Sequence, residues 1–271
     1  MSQKTHYEKF LELHRRKEGF IMPNSWDGLS SLILKSAGFE ALGTSSAAFA
    51  FALGRVDGCH AVSRQEHLDH AKLLSEVSGL PVNGDFEDGY GDTPEDVAIT
   101  VKAAIDAGLA GIGVEDTSGN PEKPIRDFDE AVARVKAAAK AAKGRIVLTG
   151  RTDNYLQGRP DLEDTIKRLQ AFAEVGADVL YAPYPSDMDH VRKIVAAVAP
   201  KPVNILIGTM AGTLPWAVLQ KAGVKRVSLG LALYTHAMGS LQEAANVLAK
   251  GDLETASAGM SARDAFALIK G

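Results

Sequence analysis

Residues 106–115, DAGLAGIGVE, close one element and open the next. Asp106-Ala107-Gly108 reads as a helix C-terminus, because glycine accepts φ > 0 at little steric cost and so belongs just past a helix. A short apolar run comes next and ends on Glu115, the pattern of a buried strand. The same phrase returns as SAGFEALGT (36–44), EVGADVLYAP (174–183) and KAGVKRVSLG (221–230), with Gly38, Gly176 and Gly223 at the cap position. Between these lie four further strand candidates: GFIMPN, LPVNGD, GRIVLTG and KPVNILIG. Strands are therefore expected near 20–23, 41–44, 81–85, 111–115, 145–149, 178–182, 203–207 and 226–229.

Helix-start signals fill the gaps. Ser63 and Glu66 have the spacing of a capping box. Thr93-Pro94 offers an N-cap followed by proline at the first helical position. Asp127 precedes an alanine-rich amphipathic run, Asp161 precedes LEDTIKRLQAFAEVG, and Ser186 precedes DMDHVRKIVAAVA. Thr213-Leu214-Pro215 starts another helix. Strand alternating with helix predicts a parallel sheet, and eight such units predict an α/β fold of the (β/α)₈ barrel type. The alternative, an open doubly wound sheet, usually has fewer strands. No linker or composition shift divides the chain, so residues 1–271 read as one barrel domain. Residues 231–249 and 261–270 look like two extra helices, and an oligomer contact over about 231–271 is the expected use for them.

Composition excludes several classes. The 271 residues are 45% apolar and 24% charged, with a net charge of −4. That balance carries no footprint for nucleic acid or an anionic membrane. The single cysteine, Cys59, forms no internal disulfide and no thiolate metal site. No apolar run reaches the length of a membrane span. The polar amphipathic N-terminus lacks a signal-peptide core, so a cytoplasmic setting is expected.

In such barrels the active site lies at the C-terminal strand ends. Those ends carry Ser45 and Ser46, then Asp85 and Glu87, then Glu115, then Arg151, with Asp57 in the loop after the second strand. On extended backbone Asp85 and Glu87 point the same way. Four carboxylates (Asp57, Asp85, Glu87, Glu115) thus converge, an arrangement that is costly unless a cation binds or protons are retained. A hard divalent ion such as Mg²⁺, keeping several waters, answers that cost. Arg151 is expected to grip a substrate carboxylate with two prongs, with Asp153 or Glu115 as its alternative ion-pair partner. Asp88 and Asp116 read as solvated or structural. Asn204 reads equally as a functional or a structural hydrogen bonder. The histidines (His60, His67, His70, His190, His236) read as surface or packing residues. There is no strand-end lysine for a Schiff base, no GxSxG or HExxH motif, and no GxGxxG after the first strand.

These residues together resemble the isocitrate lyase and phosphoenolpyruvate mutase superfamily over nearly the whole chain. The matching segments are FIMPNSWDGLSSLILKSAGFEALGTSS (20–46), LGRVDG (53–58), GDFEDGYG (84–91), GVEDT (113–117) and GRTDNYLQG (150–158). The resemblance implies a (β/α)₈ barrel whose last helix is swapped between subunits of a homodimer or homotetramer. It implies Mg²⁺, with Mn²⁺ as a substitute, held directly by Asp85 and through waters by Asp57, Glu87 and Glu115. It also implies that Ser45, Ser46 and Ala47 hold the carboxylate and keto oxygen of a substrate. Arg151 would bind the carboxylate and Asn204 would stand at the far end. Arg151, Ser45, Asp57 and Glu115 are then the catalytic candidates.

The chain departs from that pattern at two places. Glu87 replaces an aspartate. The loop after the fourth strand, DTSGNPEKPIRD (116–127), lacks the KxCGH of isocitrate and methylisocitrate lyases and the KxFPKxNS of the mutases. Thr117, Ser118 and Asn120 are the polar gating candidates there. The expected activity is Mg²⁺-dependent C–C cleavage, by a lyase or decarboxylase step, of a small 2-oxo acid through a stabilised enolate. The alternatives are a P–C phosphonomutase or phosphonopyruvate hydrolase (including the carboxyphosphonoenolpyruvate type), and a non-catalytic metabolite-binding barrel. A phosphate site at Gly208-Thr209, Gly212 and Gly230 leaves the acids unexplained.

Overall fold

The computed structural model describes residues 2–58, 60–206 and 215–270. Helix α1 (Gln3–Arg15) comes first, followed by β1 (Phe20–Met22), α2 (Gly28–Ser36), β2 (Leu42–Gly43), α3 (Ser46–Ala52) and α4 (Arg64–Ser78). Next are β3 (Val82–Asp85), α5 (Pro94–Asp106), β4 (Gly111–Glu115), α6 (Phe128–Ala142), β5 (Val147–Arg151) and α7 (Leu162–Glu174). Then come β6 (Val179–Tyr181), α8 (Met188–Val198), β7 (Val203–Leu206), α9 (Trp216–Lys221) and β8 (Arg226–Ser228). The chain ends in α10 (Ala232–Leu248), α11 (Leu253–Ala256) and α12 (Ala262–Lys270).

The eight strands are parallel and pair in the order β1-β8-β7-β6-β5-β4-β3-β2. An Asn24–Gly43 bridge joins the two ends of that row, with Gly43 N–H donating to Pro23 at 2.9 Å and Ser25 N–H to Gly43 at 3.0 Å. The sheet is thus a (β/α)₈ barrel. The cap glycines do what the phrase at 106–115 requires: Gly38, Gly108, Gly176 and Gly223 all have positive φ, between +88° and +114°. The Ser63–Glu66 capping box forms, and Thr93 forms another with Asp96.

Some boundaries move. Strand β5 runs Val147–Arg151 rather than 145–149, because Arg145 and Ile146 still belong to the turn after α6. Arg151 is therefore a strand residue, in register with Glu115 on one side and Tyr181 on the other. Asp187, not Ser186, caps α8, accepting from Asp189 N–H at 2.8 Å and His190 N–H at 2.9 Å. Asp127 makes no cap bond and accepts instead from Lys123 Nζ. Thr213 and Leu214 lie outside the described residues. The C-terminal segment forms three helices, not two. Helix α12 packs on α2, and Leu241, Leu253, Phe266 and Ile269 remain exposed.

The main core lies between the sheet and its helices, with Leu42, Val82, Ile112, Leu148, Leu169 and Phe172 all fully buried. A second cluster stoppers the N-terminal end of the barrel. There α1 inserts Phe10 and Leu13 against Phe20, Met22, Ala110, Val147 and Val179. Gly111 makes room for that stopper, since a Cβ there would lie 2.5 Å from the Phe10 ring. With one end filled, the open end at the strand C-termini is left for chemistry. No helix among the described residues is long and apolar enough to cross a membrane.

Candidate active site

Arg151 stands at the centre of the open end. Nη1 lies 3.0 Å from Glu115 Oε2 and 3.4 Å from Asp85 Oδ1. Nε and Nη2 form a two-pronged pair with Asp153, at 2.5 and 2.8 Å. The prongs expected for a substrate carboxylate are thus turned to Asp153, and Nη1 is the part that faces the other acids. The Tyr181 ring lies 5.2 Å from the guanidinium carbon. Burial alone would lower the Arg151 pKa. Asp153, Glu115 and Asp85 outweigh it and hold the group well above its ordinary value.

Asp85 ends β3. Its Oδ2 accepts from the Ser46 N–H at 3.1 Å and the Ser46 hydroxyl at 3.3 Å, and its own N–H donates to Thr44 Oγ1 at 2.7 Å. Ser45 is the N-cap of α3 and its hydroxyl accepts from Ala48 N–H at 3.3 Å. The first turn of α3, with Ser46 and Ala47, is thereby aimed at Asp85. Such a turn presents backbone N–H groups that have no partner within the helix.

Glu87 does not reach the site along an extended strand. Its φ is +48°, inside a tight turn that Gly89 N–H closes onto Phe86 at 2.8 Å. The alternation argument for Asp85 and Glu87 therefore gives way to a turn. Glu87 Oε2 accepts from His60 N–H at 2.9 Å, and Oε1 from the Tyr90 hydroxyl at 3.1 Å. Tyr90 in turn meets buried His67 Nδ1 at 2.5 Å. Asp88 is structural. It bonds the His60 ring at 2.8 Å, Arg126 at 2.8 Å and Arg134 at 3.3 Å. His60 therefore ties the loop that carries Asp57 to the turn that carries Glu87. Sequence alone reads His60 as a surface or packing residue; the only local trace of the tie is a histidine three residues after Asp57.

Glu115 ends β4, and its Oε1 accepts from the Thr117 hydroxyl at 2.7 Å. Of the gating candidates, only Thr117 turns its hydroxyl to the acids. Ser118 Oγ accepts from Asn120 N–H at 3.0 Å and donates to the Lys123 carbonyl, while Asn120 Oδ1 accepts from Glu122 N–H at 2.9 Å. The 116–125 loop is thus a small braced hairpin, closed by a Thr117–Ile125 bridge. Asp116 is structural, accepting from Asp153 N–H at 2.9 Å and pairing with Arg168 at 3.3 Å. Burial pushes its carboxyl up to about 6.

Two spaces open here, sharing Ser46, Asp57 and Arg151 in their walls. An outer one of about 570 Å³ is lined by Asp57, His60, Glu87, Glu115, Thr117 and Arg151. An inner cavity of about 170 Å³ runs down into the barrel past Ser45, Ser46, Ala47, Asp85 and Arg151 to Asn204 and Arg226. Asn204 is buried, with Oδ1 accepting from Arg226 Nε at 2.9 Å and Nδ2 donating to Ser228 at 3.0 Å. Cys59 and the 207–214 stretch, with Gly208, Thr209 and Gly212, lie outside the described residues.

The acids fit a hydrated cation better than a ligand cage. Among the described residues no group of three or more His, Cys, Asp or Glu side chains gathers to ligate one ion directly. Yet Asp57, Glu87 and Glu115 all carry carboxyl pKa values raised first by burial and further by the charge of Asp85. For Glu115 the rise is large. Their fields meet at Asp85, and a bound divalent charge there would reverse those shifts. One direct carboxylate with waters to the others is the way Mg²⁺ commonly binds.

The chain is similar to known proteins along nearly its whole length. An oxaloacetate decarboxylase of Paraburkholderia xenovorans is 30% identical over 260 residues, covering 92% of this chain and 84% of that one. A solved structure of a candidate lyase/mutase from Burkholderia cenocepacia J2315 is 41% identical with a TM-score of 0.95 and covers 99% of this chain and 97% of its own. An oxaloacetate acetylhydrolase solved with its product oxalate is 25% identical, with a TM-score of 0.89 over 99% of this chain and 94% of that one. The family model for phosphoenolpyruvate phosphomutase matches residues 10–249, so the chain belongs to the phosphoenolpyruvate mutase/isocitrate lyase superfamily.

Proposed function

We propose that this protein is a Mg²⁺-dependent enzyme that breaks a C–C bond in a small 2-oxo acid, by decarboxylation or a lyase step. The observation that carries it is the meeting of Asp85, Glu115, Arg151 Nη1 and the Ser46 N–H at one point above a closed-bottomed cavity. Two relatives whose names state a reaction act on oxaloacetate by those names, which supports the same bond type.

The chain's own groups divide the work. Asp85 would hold the ion, with Asp57, Glu87 and Glu115 binding its waters. The ion, when bound, supplies Lewis-acid stabilisation of negative charge at the keto oxygen as the enolate forms. Arg151 Nη1 and the N–H groups of Ser46 and Ala47 supply fixed donors for the substrate's carboxylate and keto oxygens. Asp153 holds the guanidinium plane and so fixes the direction of Nη1. The braced 116–125 loop limits access to the mouth without offering a cysteine to the product. The exposed apolar residues of α10–α12 are the proposed contact with further copies of the chain in a homodimer or homotetramer.

The test is turnover of oxaloacetate, 2-oxoglutarate and phosphonopyruvate with Mg²⁺ and with chelator. Pyruvate or another C–C cleavage product from a carboxylic substrate supports the proposal. Phosphate release from phosphonopyruvate alone would move the assignment to the P–C reaction.

A further inference from the structure

Among the described residues, five other than glycine hold a positive φ: His60, Glu87, Tyr90, Lys143 and Tyr184. Four have a structural reason. Lys143 is the C-cap of α6, and His60, Glu87 and Tyr90 belong to the hydrogen-bonded turns beside the acids of the site. Tyr184, with φ +55°, has neither reason. It lies between Pro183 and Pro185, after β6 and short of the start of α8. A bulky side chain resists the left-handed region, and a residue before proline favours extended backbone. Such strain costs about 1–3 kcal/mol, persists only where the surroundings impose it, and gathers at functional sites. Its effect here is to place a ring. Tyr184 packs on the edge of the main core and lines the inner cavity together with Asp85, Ser46 and Arg151.

Packing accounts for the ring but not for its hydroxyl, which bonds nothing among the described residues. The other hydroxyls on these walls have partners in the fold. Thr44, Ser45, Ser46, Thr117 and Thr149 each bond another group, and buried Tyr181 bonds Ser228. A phenol is also among the side chains that enzymes use to give protons. Burial raises the Tyr184 pKa, so the proton stays in place at neutral pH. The charge of Arg151 works the other way and is placed to steady the phenolate once the proton has gone, against a smaller opposing push from Asp153. The chemistry calls for such a donor. An enolate left by C–C cleavage needs a proton at C3 to become a 2-oxo acid, and the 116–125 loop has no cysteine to give one.

We propose that Tyr184 is the catalytic acid of this site, giving its hydroxyl hydrogen to C3 of the enolate left by C–C cleavage. With oxaloacetate, the C3–C4 bond breaks, CO₂ leaves, and the bonding pair stays in the enolate. C3 takes the proton from Tyr184 Oη, and the phenolate recovers one from water entering through the outer space. Water is thus the final source of the hydrogen, and nothing is oxidised or reduced by a further reagent. The proposal rests on the 2-oxo acid reading above and deepens it.

Exchange of the product's C3 hydrogens for deuterium runs this last step in both directions without cleavage. The full chain and Tyr184→Phe are compared in heavy water with Mg²⁺ and pyruvate, or with whichever 2-oxo acid product the cleavage panel identifies. Proton NMR follows the exchange above its rate without enzyme, and titration calorimetry gives the affinity for the same product. Tyr184→Phe keeps the ring and removes a hydroxyl that bonds nothing in the fold, so the variant should fold as the wild type does. The expected result is exchange catalysed by the wild type and slowed about a hundredfold or more in Tyr184→Phe, with product affinity kept within about threefold. Exchange in Tyr184→Phe within about threefold of the wild type overturns the assignment. Loss of affinity in step with exchange also overturns it, since Tyr184 would then bind the ligand without giving a proton. Cleavage by the wild type without exchange places protonation in solution, which overturns Tyr184 and leaves the 2-oxo acid reading intact. Neither cleavage nor exchange overturns both.

Discussion

Asp88 sits one residue from Glu87 yet has a different task, and Asp88→Ala separates the two. Its carboxylate, 6% exposed, accepts from the His60 ring, Tyr90 N–H, Arg126 and Arg134. Burial alone would raise its pKa. The His60 bond, then the charges of His60 and Arg134, reverse that and hold it below the ordinary value. Removing it leaves Arg134, 1% exposed, with only the carbonyls of Asp88 and Gly91, at 2.9 and 2.8 Å. Breaking a buried pair from one side costs about 3–5 kcal/mol, and the surviving carbonyl bonds favour the lower end, about 3 kcal/mol. For a domain of this size that is a fall in melting temperature of about 6–12 °C. Asp85→Ala, by contrast, removes one of four mutually repelling acids and should change stability by about 1 kcal/mol or less. Thermal unfolding monitored by circular dichroism at pH 7.5 measures both. A fall below about 2 °C for Asp88→Ala, or equal falls for the two variants, would refute the division into a structural and a functional acid.

The same contacts predict three further outcomes. Arg151→Lys should raise KM far more than it lowers stability, because lysine cannot keep both Asp153 and the Nη1 position; an unchanged KM would remove Arg151 from substrate binding. Tyr90→Phe should weaken Mn²⁺ affinity, read by paramagnetic resonance, because Glu87 loses one of its two donors and His67 its partner; a cost of about 1–3 kcal/mol in stability accompanies it. His14 titrates at about 3 in the fold against 6.5 when free, so the unfolded chain binds the proton first. Its contribution is complete above about pH 6.5 and is lost at about 1.4 kcal/mol per pH unit below that, a slope that His14→Gln should reduce in urea unfolding at pH 7 and pH 5.

The architecture was legible because its signals are local. A glycine after four of the helices and a short apolar run after each of those glycines recur with one spacing, and the φ values at Gly38, Gly108, Gly176 and Gly223 are the physical reason. Which residues crowd the open end was legible too, since strand ends converge in a barrel. How they are held was not. Glu87 arrives by a left-handed turn, which neighbouring residue types do not reveal. His60 and His67 act through partners 23 to 28 positions away. For Arg151 the sequence offered Asp153 or Glu115 as an ion-pair partner, and the fold gives it both at once. Arg226, inside KRVSLG, looks like a surface cation beside Lys225. Only the strand alternation that turns residues 226 and 228 to the same side hints that it points inward.

The most direct measurement of the central claim is product formation from oxaloacetate by the purified protein with Mg²⁺, with chelator, and in Asp85→Ala. The predicted result is cleavage that depends on Mg²⁺ and is lost in Asp85→Ala while the melting temperature holds. Cleavage that persists in chelator or in Asp85→Ala, or no turnover of any 2-oxo acid in the panel, would contradict it.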